Sequence, residues 1–572
     1  MSVLRYPATA CVVLGVVAFC ASCTGPGSEE AQRSEARGER PNVLLIVADD
    51  MGYTDVGAYG GEIPTPRIDA LAEDGVMLTQ FHATPNCAPT RAAMLTGVDY
   101  HRTGFGSMGE LLTDNQRGQP GYEGYLNDRV VTVAELLREG GYRTWMAGKW
   151  HLGAKPEQRP HGRGFDDTFV MLAGGASHWV DNTPLIPGKP SPYSIDGELL
   201  DELPDDFYST TTYTDRTLEW LQSGQDDDRP FFAYLSFTAP HNPLHAPPEA
   251  IERFRGRYAG GWDALRARRL KRLQDLGLTP PTAPVFDRPG WIRGWDELTT
   301  GQRENRARDM QIYAAMIEQL DTAVGEVLDH LKASGEYDDT LILFLSDNGA
   351  SRTTILDYAA LGGEMGDFLE SFDNSLDNRG LPGSSTDIGP GWAWAANAPF
   401  RLMKGYVAQG GMQVPAIVKL PGSRANAGSR NHAFTHVVDV MPTVLDAAEL
   451  SYPATWEGRD VAPLDGRSLL PLLEGAGDET FATREMGFEL YGMRAYRRGP
   501  WKALLLPEPY GTGDWQLYDL ASDPGEVHDL ATEERERLEE LVEAWQRWSE
   551  EYGVIEPDRA VGYARKPRPG SY

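Results

Sequence analysis

The chain is short of cysteine. Its 572 residues hold four, Cys11, Cys20, Cys23 and Cys87. Removal of the first 23 residues leaves Cys87 alone, so the body can form no intrachain disulfide and must rely on an apolar core. Positive charge is scarce too: 53 Lys and Arg stand against 84 Asp and Glu, a net charge of −31. Within residues 1–40 the arginines at 5, 33, 37 and 40 cancel the glutamates at 29, 30, 35 and 39. The body therefore carries the whole imbalance. Such a surface repels nucleic-acid phosphates and argues against a nucleic-acid partner. It does not exclude an anionic substrate held by a local cationic cluster. Long uncharged apolar runs are absent beyond the N-terminus, and there is no internal repeat. With 41% hydrophobic and 24% charged residues, multi-span membrane, collagen-like and low-complexity classes are excluded.

What is present starts with an export signal. Ala8 to Ser22 is an uncharged apolar stretch behind Arg5, matching a signal-peptide core and short for a membrane span. Cys20-Ala21-Ser22-Cys23 resembles a bacterial lipoprotein box, although Cys20 stands where Leu is usual. The expectation is an exported protein of the periplasm or outer cell surface, lipid-anchored at Cys23, with an ordinary cleaved signal or an uncleaved anchor as the alternatives. Thr24 to Arg40 is polar and charged and reads as a flexible tether.

Three continuous apolar runs follow: Asn42 to Ala48, Phe231 to Phe237 and Leu341 to Leu345. Runs of this kind suit strands buried on both faces of a parallel sheet. Each ends in polar residues: Asp49-Asp50, Pro240-His241 and Ser346-Asp347-Asn348-Gly349. Helical periodicity lies between them, at Val131 to Glu139 and at Met310 to Lys332. The pattern predicts an α/β fold with a large doubly wound, mostly parallel sheet and ligands at the carboxyl ends of its strands. Residues 254–310 read as a surface helical excursion, and residues 351–398 as long loops over the site. After residue 465 short strands at Met493, Trp501 and Trp515 precede a charged helix from Thr532 to Glu551. They predict a smaller C-terminal α+β domain with a short antiparallel sheet. The expected division is 1–23 signal, 24–40 tether, 41–465 catalytic domain and 466–572 C-terminal subdomain.

The informative segment is Cys87-Ala88-Pro89-Thr90-Arg91, continued by Leu95-Thr96-Gly97. By residue type it places a cysteine at a helix start beside a cation, which favours an anionic or electrophile-bound sulfur. The bland reading is a half-buried structural cysteine. The segment resembles the signature of the formylglycine-dependent (type I) sulfatases, in their bacterial arylsulfatase branch, within the alkaline phosphatase superfamily. The resemblance runs from residue 41 to about residue 530. It includes Gly148-Lys149-Trp150-His151-Leu152-Gly153, Ala239-Pro240-His241, Lys404-Gly405 and Leu517 to Pro524.

Asp49, Asp50, Asp347 and Asn348 offer oxygen ligands from two strand ends, and all-oxygen ligation selects a hard divalent cation. The resemblance implies Ca²⁺, with the modified Cys87 as a further ligand; residue types do not exclude Mg²⁺. Arg91, Lys149, His151, His241 and Lys404 match family site positions. The resemblance implies that Lys149 and Lys404 hold sulfate oxygens and that Arg91 supports the formylglycine hydroxyl. His241 is the implied general acid at the leaving oxygen, and His151 the base of the second step. It implies a sulfuric ester hydrolase acting on a small-molecule or glycan sulfate ester, and a formylglycine-generating maturation enzyme as partner. Two alternatives stand beside it: a phosphonate monoester or phosphodiester hydrolase of the same superfamily, and an inactive surface-anchored binding lipoprotein. Gln413 departs from the pattern, standing where relatives often carry Arg; the expected consequence is altered loop support near Lys404.

Overall fold

The computed structural model describes residues 40–225, 227–353, 365–422, 426–475 and 479–567. The export signal, Cys23 and the tether up to Glu39 lie outside the described residues. Residues 40–572 make one compact unit.

Its centre is a sheet of ten strands. In chain order these are β1 (Asn42–Ala48), β2 (Val76–Leu78), β3 (Arg143–Lys149), β4 (Asp167–Met171), β5 (Tyr193–Ile195), β6 (Glu198–Leu199), β7 (Phe231–Ser236), β8 (Thr340–Ser346), β9 (Ala416–Lys419) and β10 (Ser429–Asn431). Their spatial order is β10-β2-β9-β8-β1-β7-β3-β4-β5-β6. The five central strands, β8-β1-β7-β3-β4, run parallel. β9 pairs antiparallel to β8, and β5 and β6 finish the other edge antiparallel. Every residue of β1, β3, β7 and β8 is buried, as continuous apolar runs between helical layers require.

Register places the chemistry. Ala48 pairs with Ser346 across β1 and β8, and Gly148 with Ser236 across β3 and β7. Asp49 and Asp347 therefore leave adjacent strands, and Lys149 ends β3 one strand further along, beyond β7, all at one end of the sheet. Gly148 has φ 117°, and a Cβ there would lie 1.8 Å from the Ser236 carbonyl oxygen. Only glycine permits that close approach.

Helices connect the strands: α1 (Cys87–Thr96), α2 (Val133–Glu139), α3 (Ser209–Ser223), α4 (Gly261–Asp275), α5 (Thr300–Ser334) and α6 (Gly389–Ala396). α2 and α5 start on capping boxes, Thr132 with Glu135 and Thr299 with Gln302, which satisfy first-turn N–H groups. Two segments differ from the sequence expectation. α4 is not a surface excursion: Arg269 is buried on Asp55 (2.6 Å) and Glu62 (2.7 Å), and Arg266 donates to the carbonyls of Trp394, Pro399 and Phe400. Residues 389–396 are not loop but a wholly buried helix, with Gly391 set against the Trp262 ring. Residues 354–364 lie outside the described residues.

A second sheet of four antiparallel strands, β11 (Glu485–Leu490), β12 (Met493–Arg498), β13 (Trp501–Leu505) and β14 (Trp515–Asp519), follows. α7 (Arg535–Glu551) lays Leu541, Ala544, Trp545 and Trp548 on Tyr496, Ala503 and Leu517. That is one apolar stripe at helical spacing. Among the described residues no helix is long and apolar enough to cross a membrane.

Candidate active site

Cys87 is the first residue of α1, buried to 1% exposure. Asn86 precedes it as the cap: its side-chain oxygen accepts from the Cys87 N–H (2.9 Å) and its amide donates to the Tyr491 hydroxyl (2.8 Å). The sulfur lies 3.4 Å from Asp49 Oδ1, 3.8 Å from Asp50 Oδ1 and 3.1 Å from Lys404 Nζ. Burial pushes the thiol well up, against the pull of Lys149 and Lys404. Of an anionic or an electrophile-bound sulfur, the two states the sequence left open, burial disfavours the anion. The helix start and cations are present, but desolvation in a fully enclosed position outweighs them.

Two lysine–carboxylate pairs flank the sulfur. Lys149 Nζ meets Asp49 Oδ2 at 2.6 Å, and Lys404 Nζ meets Asp50 Oδ1 at 2.6 Å. Burial alone would raise Asp49, but Lys149, His241, Arg91 and Lys404 together hold it far below the carboxylate range. Burial disfavours the charge on both lysines, yet Asp49 and Asp50 hold them protonated.

Arg91 is fully enclosed. Its Nε and Nη2 grip Asp347 Oδ2 at 2.9 and 2.7 Å, and its Nη1 donates to the Lys149 carbonyl (3.0 Å) and to Ser236 Oγ (2.5 Å). It ties α1 to β3, β7 and β8. Asp347 is pushed up to about 6 by burial and by Asp49, with Arg91 opposing. Its Oδ1 accepts from the Asp50 N–H (3.2 Å), and Asp50 holds φ at 70°.

His241 Nδ1 lies 2.5 Å from the Asn242 carbonyl oxygen. A carbonyl only accepts, so Nδ1 carries the proton and Nε2, 3.6 Å from Asp50 Oδ2, presents a lone pair. Burial pushes His241 down to about 4, with Asp50 opposing. His151, at φ 61°, packs on Gly174; burial and Lys149 push it well below the usual histidine range.

Asp49, Asp50, Cys87 and His241 each bring a ligand atom to within 4.8 Å of the others. Asn348 donates to Asp50 Oδ1 at 2.6 Å. Asp50 Oδ2 and Asn348 Oδ1 are buried oxygens with no hydrogen-bond partner. Buried oxygens left so are costly unless a cation or water meets them, and their chemistry suits a hard cation.

The sequence-derived residues thus gather at one end of the sheet, around Cys87. Gln413 donates its amide to the Thr79 carbonyl and accepts from Gln409 through its oxygen, within the segment that follows Lys404. Sequence reading missed Ser236, the short partner of Arg91, Tyr491, which holds Asn86, and Tyr563, whose ring lies on Gly405. Asn86 did carry a signal, a cap residue directly before a helix start; the others are long-range appositions with none.

Comparison with known proteins agrees with this geometry. Residues 41–450 match the Sulfatase family model, and residues 401–548 match the model described as N-sulphoglucosamine sulphohydrolase, C-terminal. An uncharacterized sulfatase of Schizosaccharomyces pombe is 41% identical over 538 residues, 92% of this chain and 96% of its own. An arylsulfatase of Klebsiella aerogenes is 40% identical over 437 residues, 76% of this chain and 92% of its own. The crystal structure of Ps i-CgsB with k-i-k-neocarrahexaose superposes at a TM-score of 0.64 with 25% identity, covering 92% of this chain and 95% of that one. The chain belongs to the sulfatase family, and it is a sulfuric ester hydrolase of the arylsulfatase-like kind.

Proposed function

We propose that Cys87 is the position matured to formylglycine, and that hydrolysis of a sulfate ester to alcohol or phenol plus sulfate takes place there. The observation that supports this most is the convergence on one buried sulfur of Lys404 Nζ at 3.1 Å and two carboxylates within 3.8 Å. A thiol held protonated by burial is a poor nucleophile at that place. Hydrated formylglycine supplies two hydroxyls on one carbon, one to attack sulfur and one whose deprotonation expels sulfate.

Asp49, Asp50, Asp347 and Asn348 are the proposed holders of a divalent cation, Ca²⁺ by resemblance, with position 87 as a further ligand. Such an ion supplies Lewis-acid polarisation of a sulfate oxygen and a lowered hydroxyl pKa. Lys149 and Lys404 hold sulfate oxygens as their ammonium groups turn from Asp49 and Asp50. Each of the three Arg91 guanidinium nitrogens donates to a protein group, and the residue acts as a fixed strut. His241 offers a lone pair at Nε2. To serve as general acid it takes up a proton in the substrate complex, which the anionic ester favours. His151 is the proposed base for release.

Burial of Cys87 means that a maturation enzyme must meet it before the fold closes. The N-terminal signal supports export, and Cys23 supports a lipid anchor at the periplasmic or outer surface.

Peptide mass spectrometry across position 87 of active protein tests the reading. The expected species is the aldehyde. An unmodified Cys87→Ser variant supplies only one hydroxyl; it should gain one stable sulfate adduct and stop. A free thiol in fully active protein, or normal turnover by the Ser variant, overturns it.

A further inference from the structure

The direction of the His241 ring depends on a residue from another part of the chain. His241 lies past the end of β7, outside any strand. Its Nδ1–H bonds the carbonyl of Asn242, one residue on, so the ring is no firmer than the peptides around it. On the N-terminal side the segment is tied down. The Asp49 N–H donates to the Ala239 carbonyl at 3.0 Å, and the His241 N–H donates to the Thr238 carbonyl at 2.9 Å. On the C-terminal side the His241 carbonyl lies 3.0 Å from Nε2 of His178, in the stretch between β4 and β5.

The proton positions on His178 follow from its neighbours. A carbonyl only accepts, so Nε2 carries the proton and Nδ1 must accept. Nδ1 lies 2.7 Å from the Ser209 hydroxyl, at the start of α3. Ser209 Oγ itself accepts from Thr238 (3.2 Å), which leaves its own hydrogen for His178. A second histidine fixes the backbone: the His178 N–H donates to Nδ1 of His245 at 3.2 Å, and His245 Nε2 lies 2.9 Å from the Ser384 carbonyl. Each ring therefore has one nitrogen facing an acceptor and the other facing a donor, which is the pattern of a neutral imidazole. Both residues are 1% exposed, and the rings meet edge to face. Burial, with His245, pushes His178 down to about 3. It stays neutral, with Nε2–H as a constant donor.

We propose that His178 is a positioning residue for the leaving-group proton: it holds the peptide between His241 and Asn242, keeps the Asn242 carbonyl on His241 Nδ1, and so keeps the Nε2 lone pair in the site beside Asp50. Without that donor the buried His241 carbonyl is left unsatisfied, which is costly, and the peptide turns to find another partner. The Asn242 carbonyl moves with it, and Nδ1 loses the acceptor that sets its tautomer. A neutral ring that carries its proton at Nε2 has no place there for the proton it must pass on. His178 touches no reacting atom; it acts through His241. This rests on the general-acid reading of His241 above.

The dependence of kcat/KM on the leaving group separates this role from a merely structural one. Nitrophenyl, phenyl and alkyl sulfates are compared on wild-type holoenzyme, His241→Ala, His178→Phe and the double variant. His178→Phe keeps a ring and removes the donor. Phenyl and alkyl sulfates should lose roughly 10–100-fold, part of the ~10²–10⁴-fold that a general acid supplies, while nitrophenyl sulfate loses little. Added to His241→Ala it should cost nothing more, because both act on one proton. His178→Gln keeps an N–H within reach of the carbonyl and should recover most of the loss on phenyl sulfate. Equal losses on all three esters, losses that add to those of His241→Ala, or a Gln variant that discriminates against phenyl sulfate as His241→Ala does, overturn the role of His178 and leave His241 in place. The Gln result decides even where the Phe variant does not fold. A wild type with the same leaving-group dependence as His241→Ala overturns the reading of His241 itself, and this inference with it.

Discussion

Raising the pH should weaken the fold at one identifiable joint. His101, two residues before the end of the short helix that follows α1, is 2% exposed. Its Nδ1 lies 2.9 Å from Asp99 Oδ1 and its Nε2 3.4 Å from Glu489 Oε2. Carboxylates accept, so both ring nitrogens are called on to donate, and that is the imidazolium. Burial opposes the charge, but the hydrogen bonds to Asp99 and Glu489 outweigh it and lift the pKa from 6.5 to about 9. A pKa raised on folding means that the native state binds the proton more tightly. The stabilisation is complete below the unfolded value near 6.5 and is lost as pH rises through about 9. The gap is worth on the order of 3 kcal/mol at ~1.4 kcal/mol per unit. Chemical denaturation at intervals from pH 6 to pH 10 should show that loss. His101→Gln, which has no proton to lose there, should be less stable at pH 6 and should lack this component of the pH dependence, so the difference between the two curves isolates this group from others that titrate in the window, such as Lys502, which burial pushes down to about 8. The consequence reaches the site: Glu489 is the penultimate residue of β11 and Tyr491 follows two residues later, holding Asn86 against Cys87. Parallel curves for the two proteins, or a His101 ring signal titrating near 6.5, would refute the reasoning.

Asp50→Asn should abolish binding of the divalent cation, read directly by terbium luminescence or metal content, because Asp50 carries one of the two orphaned oxygens; undiminished metal content contradicts the donor set. Asp347→Ala should cost about 3–5 kcal/mol of stability as well as activity, since it leaves the Arg91 guanidinium buried without its carboxylate; a melting curve equal to wild type counts against that role. His241→Ala should slow alkyl sulfates far more than nitrophenyl sulfates, because a good leaving group needs little of the ~10²–10⁴-fold help a general acid gives; equal losses remove His241 from that role. Cys23→Ser should release the protein from membranes, and an unlipidated Cys23 in the mature wild type refutes the anchor.

How much of this was legible follows from how each element is stabilised. β1, β7 and β8 showed because burial on both faces demands unbroken apolar runs. β3 stayed hidden, although it delivers Lys149: Arg143-Thr144-Trp145-Met146-Ala147-Gly148-Lys149 has charged ends and a glycine that looks like a break. That glycine is there because β7 passes within contact of its Cα. α6 was masked by Gly389-Pro390-Gly391, turn residues in most settings; here Gly391 admits the Trp262 ring. The buried arginines of α4 read as surface because their acceptors, Asp55, Glu62 and the carbonyls near residue 400, are distant in sequence. At the site, residues carrying unusual chemistry at strand ends were legible. Their neighbours, Ser236, Tyr491 and Tyr563, are ordinary residues made important only by apposition.

The charge balance of the site bears on why it takes a sulfate ester rather than a phosphate monoester. Asp49, Asp50 and Asp347 oppose Arg91, Lys149 and Lys404 within salt-bridge distance. The protein's own charges therefore nearly cancel, and Arg91 is locked to Asp347. A bound dication leaves two positive charges to be met by the ester and by whatever it contacts. A sulfate monoester brings one negative charge and keeps it as its S–O bond begins to break, when the leaving oxygen gains more. A phosphate monoester brings up to two from the start. In a water-poor pocket, interactions that grow as charge moves to the leaving oxygen accelerate the reaction, whereas full neutralisation of the ground state does not. Near-cancellation before substrate, one lysine–carboxylate pair on each side of position 87 and a fixed arginine behind it form an arrangement matched to a monoanion whose charge shifts during the reaction.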